Sequence, residues 1–498
     1  VENFTAALSF RAKKYKRVFV YSGKYNRAAE LPHDFLTAVE YLESHYRAGV
    51  ILDWVYERYI ISEETEAFKR IAQDERAELI IKKQVLRSVG EIFLSFILVE
   101  KFIKEYGIDE DVDFIPKELP FSLYLVLNKR KDLFSGMIHV PGWYLNKLKR
   151  REFLKSAIYR FIVLLYPLGI SLIMSLRKEK NKEKSVFKYA MYLWDTVLQL
   201  QVPSCIDLLV NNKNLSQNEI LYYMDSSIND ADLNSKIKAM NYNYCYFKEM
   251  IKQFNIFKYL RDIFPKASKI SKSLLLINSS KAILNESYLR LLMFFVKWEI
   301  FYAKYLIGTF LYVQDAGNIE RIIFQKKYGS KNLFIFLSTS FHAFLRENMK
   351  TPGNLGYSFM IFDMAASSLM SNDYFKFNNN YIGSYFDCGI LYSDLVYKIN
   401  HDGGLKGQLK VKLNIPADKI IIGFFDTGIG RMGMFTEEEG FRMLSDVLRL
   451  LESNDKYYLL YKSRGESNMS KKSNVKFIFD TLINHKSVFY ENKFIVNN

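Results

Sequence analysis

Asp426, Thr427, Gly428, Ile429 and Gly430 stand between an apolar run and a helix-start pattern. At a strand-to-helix turn, free backbone N–H groups and the positive end of the helix dipole converge on one point, which suits a phosphate. Gly428 and Gly430 let the backbone approach that group closely. The spacing is not G-x-G-x-x-G, because the third glycine is displaced to Gly433, and no GK[ST] follows to make a P-loop. The other reading is a turn whose glycines only satisfy its geometry. One strand later, Lys462 and Arg464 leave the C-terminal end of an apolar run, the edge where open α/β sheets bind ligands. Two cations there either hold a diphosphate, with Arg464 bidentate, or are ordinary surface charge. His342, in SFHAFL just past another apolar run, is the candidate general base for an acceptor hydroxyl. A packed or capping histidine is the alternative.

Other chemistries are excluded or weak. Asp109, Asp111 and Asp113, and Asp230 with Asp232, have a spacing that holds Mg²⁺ against a diphosphate, but each group sits at a turn beside a helix end and reads as solvated acid. No His-x-x-x-His or H-E-x-x-H spacing occurs for zinc, so no metal site is expected, and no G-x-S-x-G nucleophile elbow is present. The three cysteines never form a CxxC pair, which excludes a disulfide scaffold and points to a reducing compartment.

The elements that must position these residues follow from periodicity. Residues 17–21 (RVFVY) and 113–116 read as strands, with a long buried helix over 77–106 between them. A helix is expected from about 187 to 200, short strands at 204–210 and 220–224, and a core helix over 283–304. Strands at 309–313, 332–337, 358–363 and 385–389 alternate with helices at 318–328 and 364–376, which implies parallel βαβ units. After a linker at 396–416 the pattern restarts: a strand at 419–425, the glycine turn, a helix to about 452, a strand at 457–461, a helix at 475–484 and an extended stretch at 487–490. Thr436 and Glu439 form a capping box for the first of those helices. Three strands, where a doubly wound domain has five or six, make 417–498 read as an incomplete Rossmann-like domain.

Between these regions lies a basic and apolar segment. Residues 161–176 carry no charge between Arg160 and Arg177, too few for a spanning helix, and Pro167 with Gly169 is expected to break them into a helical hairpin. Residues 147–184 hold eleven Lys/Arg against three Glu, half of the chain's formal net charge of +16. Either this is a monotopic patch, with Arg150, Arg151, Lys155, Arg177 and Lys178 against an anionic membrane, or a buried hairpin with solvated basic ends. Basic residues are not interleaved with aromatics in an RNA-binding pattern, so nucleic acid is not expected as a partner. With 498 residues, 49% apolar and 25% charged, the chain has the balance of a multi-domain globular protein.

The stretches KIIIGFFDTGIGRMGMFTEEEGFRMLSDVLRLLE and YYLLYKSRGE, with 371–395 and 218–247, resemble bacterial surface-carbohydrate biosynthesis proteins related to the CDP-glycerol glycerophosphotransferase type. The resemblance implies a GT-B-like α/β protein of two Rossmann-like domains: an acceptor-side domain over 1–395 with a helical insertion at about 140–200, and a donor domain over 417–498. It implies a nucleotide sugar or CDP-polyol as donor substrate, a glycan or lipid-linked acceptor, no further cofactor, no required metal, and a place in the cytoplasm on the inner face of the membrane. Asp426, Thr427, Gly428 and Gly430 match the loop after the first strand, and Lys462 and Arg464 the basic stretch after the second. His342 falls near the family's base, although the usual His-Gly pair reads His342-Ala343. A non-catalytic, membrane-associated binding or scaffold protein of the same fold is the other expectation.

Overall fold

The computed structural model describes residues 18–22, 38–105, 112–116, 119–130, 138–175, 184–192, 216–224, 243–277, 281–313, 319–335, 359–367, 375–376, 380–388, 401–425, 437–462 and 473–491. In chain order the strands are β1 Val18–Ser22, β2 Val112–Pro116, β3 Ile138–His139, β4 Ser185–Tyr192, β5 Ile220–Met224, β6 Asn243–Tyr246, β7 Tyr305–Val313, β8 Lys331–Ile335, β9 Ile361–Ser367, β10 Tyr381–Asp387, β11 Ile420–Phe425, β12 Tyr457–Lys462 and β13 Val488–Glu491. The helices that matter below are α1 Ala38–Tyr59, α2 Ser62–Ala72, α3 Glu78–Glu105, α4 Phe121–Leu127, α5 Gly142–Ser175, α6 Phe247–Lys252, α7 Phe264–Leu276, α8 Ala282–Lys304, α9 Ile319–Lys327, α10 Gly403–Lys412, α11 Glu437–Ser453 and α12 Ser473–Ile483.

Every described strand pair is parallel. The strands form three sheets: β1-β2-β3, a seven-stranded sheet ordered β10-β9-β8-β7-β4-β5-β6, and β11-β12-β13. The seven-stranded order is that of a doubly wound Rossmann-like sheet, growing outward from β4 to β6 and then from β7 to β10 on the other side. Such a sheet is covered on both faces, so its strands read as continuous apolar runs. β5, ILYYM, is buried along its whole length. Trp298 of α8 is fully buried and packs against Tyr223, Phe247, Phe301 and Phe310 at centroid distances of 4.9–6.0 Å.

The two halves of this sheet meet where β4 pairs with β7. There Gly308 is needed: a Cβ on it would lie 2.9 Å from the Lys188 carbonyl oxygen. The C-terminal sheet has a separate core of Leu444, Leu448, Leu451, Leu459, Tyr461, Phe479 and Leu482, contributed by α11, α12 and β12.

Several expectations are corrected. The helix placed over 187–200 is strand β4 as far as Tyr192, and the rest of that stretch lies outside the described residues. The strand at 358–363 is shifted to Ile361–Ser367, which removes the start of the helix expected from 364. The stretch at 396–416 carries α10, whose Lys410 ammonium donates to the carbonyls of Ala417 and Lys419. Above all, Pro167 does not break the basic and apolar segment into a hairpin: α5 runs unbroken for 34 residues.

The reason α5 survives its proline is visible in its neighbours. Pro167 has no N–H, so the carbonyl of Val163, four residues back, loses its helical donor. Ser271 Oγ on α7 donates to that carbonyl at 2.7 Å. Tyr259 Oη donates to the carbonyl of Pro167 itself at 2.9 Å. An unmet buried carbonyl costs about 1–3 kcal/mol, so Ser271→Ala should lower the unfolding free energy by about 1–2 kcal/mol in urea titrations. In a Pro167→Ala background, where residue 167 regains its N–H, the same Ser271→Ala change should cost close to nothing. Equal costs in both backgrounds would show that the hydroxyl does not replace the missing donor.

Candidate functional site

Two strand edges gather chemistry-bearing residues. The first is the topological switch point of the seven-stranded sheet, between the C-terminal ends of β4 and β7, the place where doubly wound sheets form their ligand crevice. Tyr192 ends β4. α9 follows β7, and its third residue, Arg321, is only 5% exposed. The guanidinium stacks 3.8 Å above the Tyr192 ring and lies 5.9 Å from that of Tyr312. A desolvated cation over an aromatic face is worth about 2 kcal/mol, which helps to hold this charge inside.

One turn further along α9, Gln325 is fully buried. Its Oε1 accepts from the Tyr312 hydroxyl and its Nε2 donates to the Tyr223 hydroxyl at 3.4 Å. Nearby, the Tyr302 hydroxyl lies 2.6 Å from Ser330 Oγ, which donates to the Ile307 carbonyl at 2.7 Å. These contacts tie β5, β7, α8 and α9 together behind the crevice. Burial pushes the Tyr302 hydroxyl far above the usual phenol range, so it stays neutral. Burial also pushes the Cys245 thiol up to about 12, which leaves it inert as a nucleophile.

The second edge belongs to the C-terminal sheet. Phe425 ends β11, Lys462 ends β12, and the two are register partners on neighbouring strands. Their chains therefore leave the sheet side by side, about 4.8 Å apart at the backbone. Asp426, Thr427, Gly428, Gly430 and Arg464 follow directly, outside the described residues. His342 is also outside them, in the stretch after β8. Arg150 and Arg151 are exposed on α5 and Lys155 is half-buried, whereas Arg177 and Lys178 lie outside the described residues. No cluster of three metal-ligating side chains occurs among the described residues.

Arg321, Gln325 and Tyr192 were not singled out from the sequence. The available signal is IERIIFQKK itself: Arg321 and Gln325 are four apart, on the same helix face, among Ile322, Ile323 and Phe324. A cation and an amide on the buried side of an amphipathic helix are unusual enough to mark.

No protein-family model matches the chain. No curated protein matches it either. Among solved structures, a co-structure of S. aureus MnaA with UDP is similar at a TM-score of 0.30 and 13% identity, over 61% of this chain and 68% of that one.

The buried tyrosines make an alkaline prediction. Burial raises the folded-state pKa of Tyr302, and burial followed by the Glu299 hydrogen bond raises that of Tyr328, from an ordinary 10.0. Their contribution to stability is therefore complete below the unfolded value and is lost as pH rises above it. The urea midpoint should hold steady up to about pH 10 and fall beyond, and Tyr302→Phe should flatten that fall. An unchanged slope in Tyr302→Phe would remove this tyrosine from the account.

Proposed function

We propose that the chain is a transferase that takes a sugar or polyol phosphate from a nucleotide-activated donor and delivers it to a glycan or lipid-linked acceptor at the cytoplasmic face of a membrane. The observation that carries this reading is the register of β11 and β12. With Phe425 opposite Lys462, the Asp426–Gly430 turn and the Lys462/Arg464 segment start from adjacent strand ends at one edge. Backbone amides and cations at such an edge suit the developing charge of a leaving nucleoside diphosphate or monophosphate.

The chemistry this requires is a displacement. An acceptor hydroxyl attacks the donor's electrophilic carbon or phosphorus, His342 takes the hydroxyl proton, and the bond to the nucleotide phosphate breaks. The crevice of the seven-stranded sheet supplies the acceptor side. His342 follows β8, the strand next to β7, and Arg321 gives the crevice a fixed positive charge.

A second reading, a membrane-associated binding protein without catalysis, is favoured by the exposed apolar face of α5. Calorimetry with UDP, CDP, GDP and CMP separates the two. The transferase reading expects one of these to bind and Lys462→Ala with Arg464→Ala to weaken it roughly 10- to 100-fold, the worth of one or two charge-assisted contacts. Absence of binding by all four, or affinity untouched by the double substitution, defeats it.

A further inference from the structure

α5 is a long helix with one side fixed to the protein and the other left bare. Its inward seam runs through Tyr144, Leu148, Glu152, Ser156, Val163, Pro167 and Ile170. This seam is polar and fully engaged near its start. Glu152, 8% exposed, accepts from the backbone N–H of Ser122 at 2.7 Å and of Ala282 at 3.4 Å, closing the N-termini of α4 and α8. Asn285 Nδ2 donates to Ser156 Oγ at 2.7 Å.

The outward side is apolar. Phe153, Phe161, Leu168 and Leu172 are 71%, 62%, 53% and 68% exposed. Phe257 and Leu260 flank Tyr259, whose hydroxyl reaches Pro167, and they extend this bare surface. Bare apolar area of this extent on a globular protein marks an interaction site.

Charge says what covers it. α5 carries six Lys/Arg, all in its N-terminal part up to Arg160, and no charge from 161 to 175. Its one acid, Glu152, is turned inward and lines a cavity with Arg151, Lys155, Glu91 and Glu286, so the outward side offers cations, Lys147 and Arg150 among them. Cations beside an uncharged apolar face complement an anionic bilayer surface, with phosphates meeting the first and acyl chains the second.

The segment Gly142–Ile173 is long and apolar enough to cross a membrane, and 22% of its most apolar window is buried. Spanning, however, would carry the Glu152 and Ser156 contacts, with α7 and α8, into hydrocarbon. We infer that α5 lies in the plane of an anionic membrane, its outer face from Phe153 to Leu172 sunk into the interface and the exposed Lys147 and Arg150 on lipid phosphates. This surface rests on the membrane placement of the preceding reading, and not on its transfer chemistry.

The test is flotation of the full chain with vesicles of phosphatidylglycerol and phosphatidylcholine, and of phosphatidylcholine alone. Expected is co-flotation with the anionic vesicles at low salt, weakened by high salt and by the neutral lipid. Phe161→Ser with Leu168→Ser should lower binding at least tenfold with an unchanged circular-dichroism spectrum. Lys147→Gln and Arg150→Gln should each lower it about fivefold. In vesicle-bound Leu168→Trp, spin labels near the headgroups should quench the added fluorescence more than labels at the bilayer centre.

No binding by the folded chain, binding indifferent to Phe161→Ser with Leu168→Ser, or quenching strongest at the centre would overturn the inference. So would a dimer in sedimentation that this double substitution dissociates, since a second copy would then cover the face. Nucleotide calorimetry on the same samples keeps the two readings apart, because Phe161→Ser with Leu168→Ser should leave nucleotide affinity unchanged.

Discussion

The pairing of β4 with β7 is the constraint on which the large sheet depends. β5 and β6 extend from β4, and β8 to β10 extend from β7, so this one seam joins the two halves. It tolerates no side chain at Gly308, which faces the Lys188 carbonyl. Because all seven strands run the same way, fixing the seam also fixes where their C-terminal ends meet. That is why Tyr192, from the end of one strand, and Arg321, from the helix after the other, come within stacking distance although they are far apart in sequence.

Behind the seam, polar groups are held as firmly as apolar ones. Tyr312, Gln325 and Tyr223 form one chain of hydrogen bonds, and Tyr302 with Ser330 forms another. Buried polar groups cost little when satisfied and much when not, so such chains fix the position of α9 more sharply than apolar contact alone. The same logic governs α5, where Glu152, Val163 and Pro167 each find a partner on another helix. The positions of both the crevice and the apolar face are thus set by hydrogen bonds in their backing.

Much of the strand pattern was legible because parallel strands are apolar along their length: 17–21, 419–425 and 457–461 stand out for that reason. The long helices at 77–106 and 283–304 were equally plain from their length and period. β4 was misread because its apolar residues run on toward Leu193, Val197 and Leu198 at spacings a helix also allows. What makes it a strand is its place between β5 and β7, which is not local information. Met364, Ala365 and Ala366 are sound helix formers that the neighbouring strands recruit into β9. The error at Pro167 has the same origin: the donor that rescues Val163 comes from 108 residues away. Of the site residues, the sequence marked the strand ends that carry Lys462 and the glycine turn, through turn chemistry. Arg321 went unmarked because a cation in a helix is ordinarily solvated, and only its pairing with Gln325 on the apolar face of IERIIFQKK sets it apart.

The C-terminal sheet keeps its core to itself: none of its buried apolar residues belongs to the larger core. Substitutions around Leu444, Tyr461 and Phe479 can therefore be absorbed by local repacking, without disturbing the β4–β7 seam. Denaturant can accordingly loosen the smaller core while the larger one stays closed, so the two need not melt as one cooperative unit.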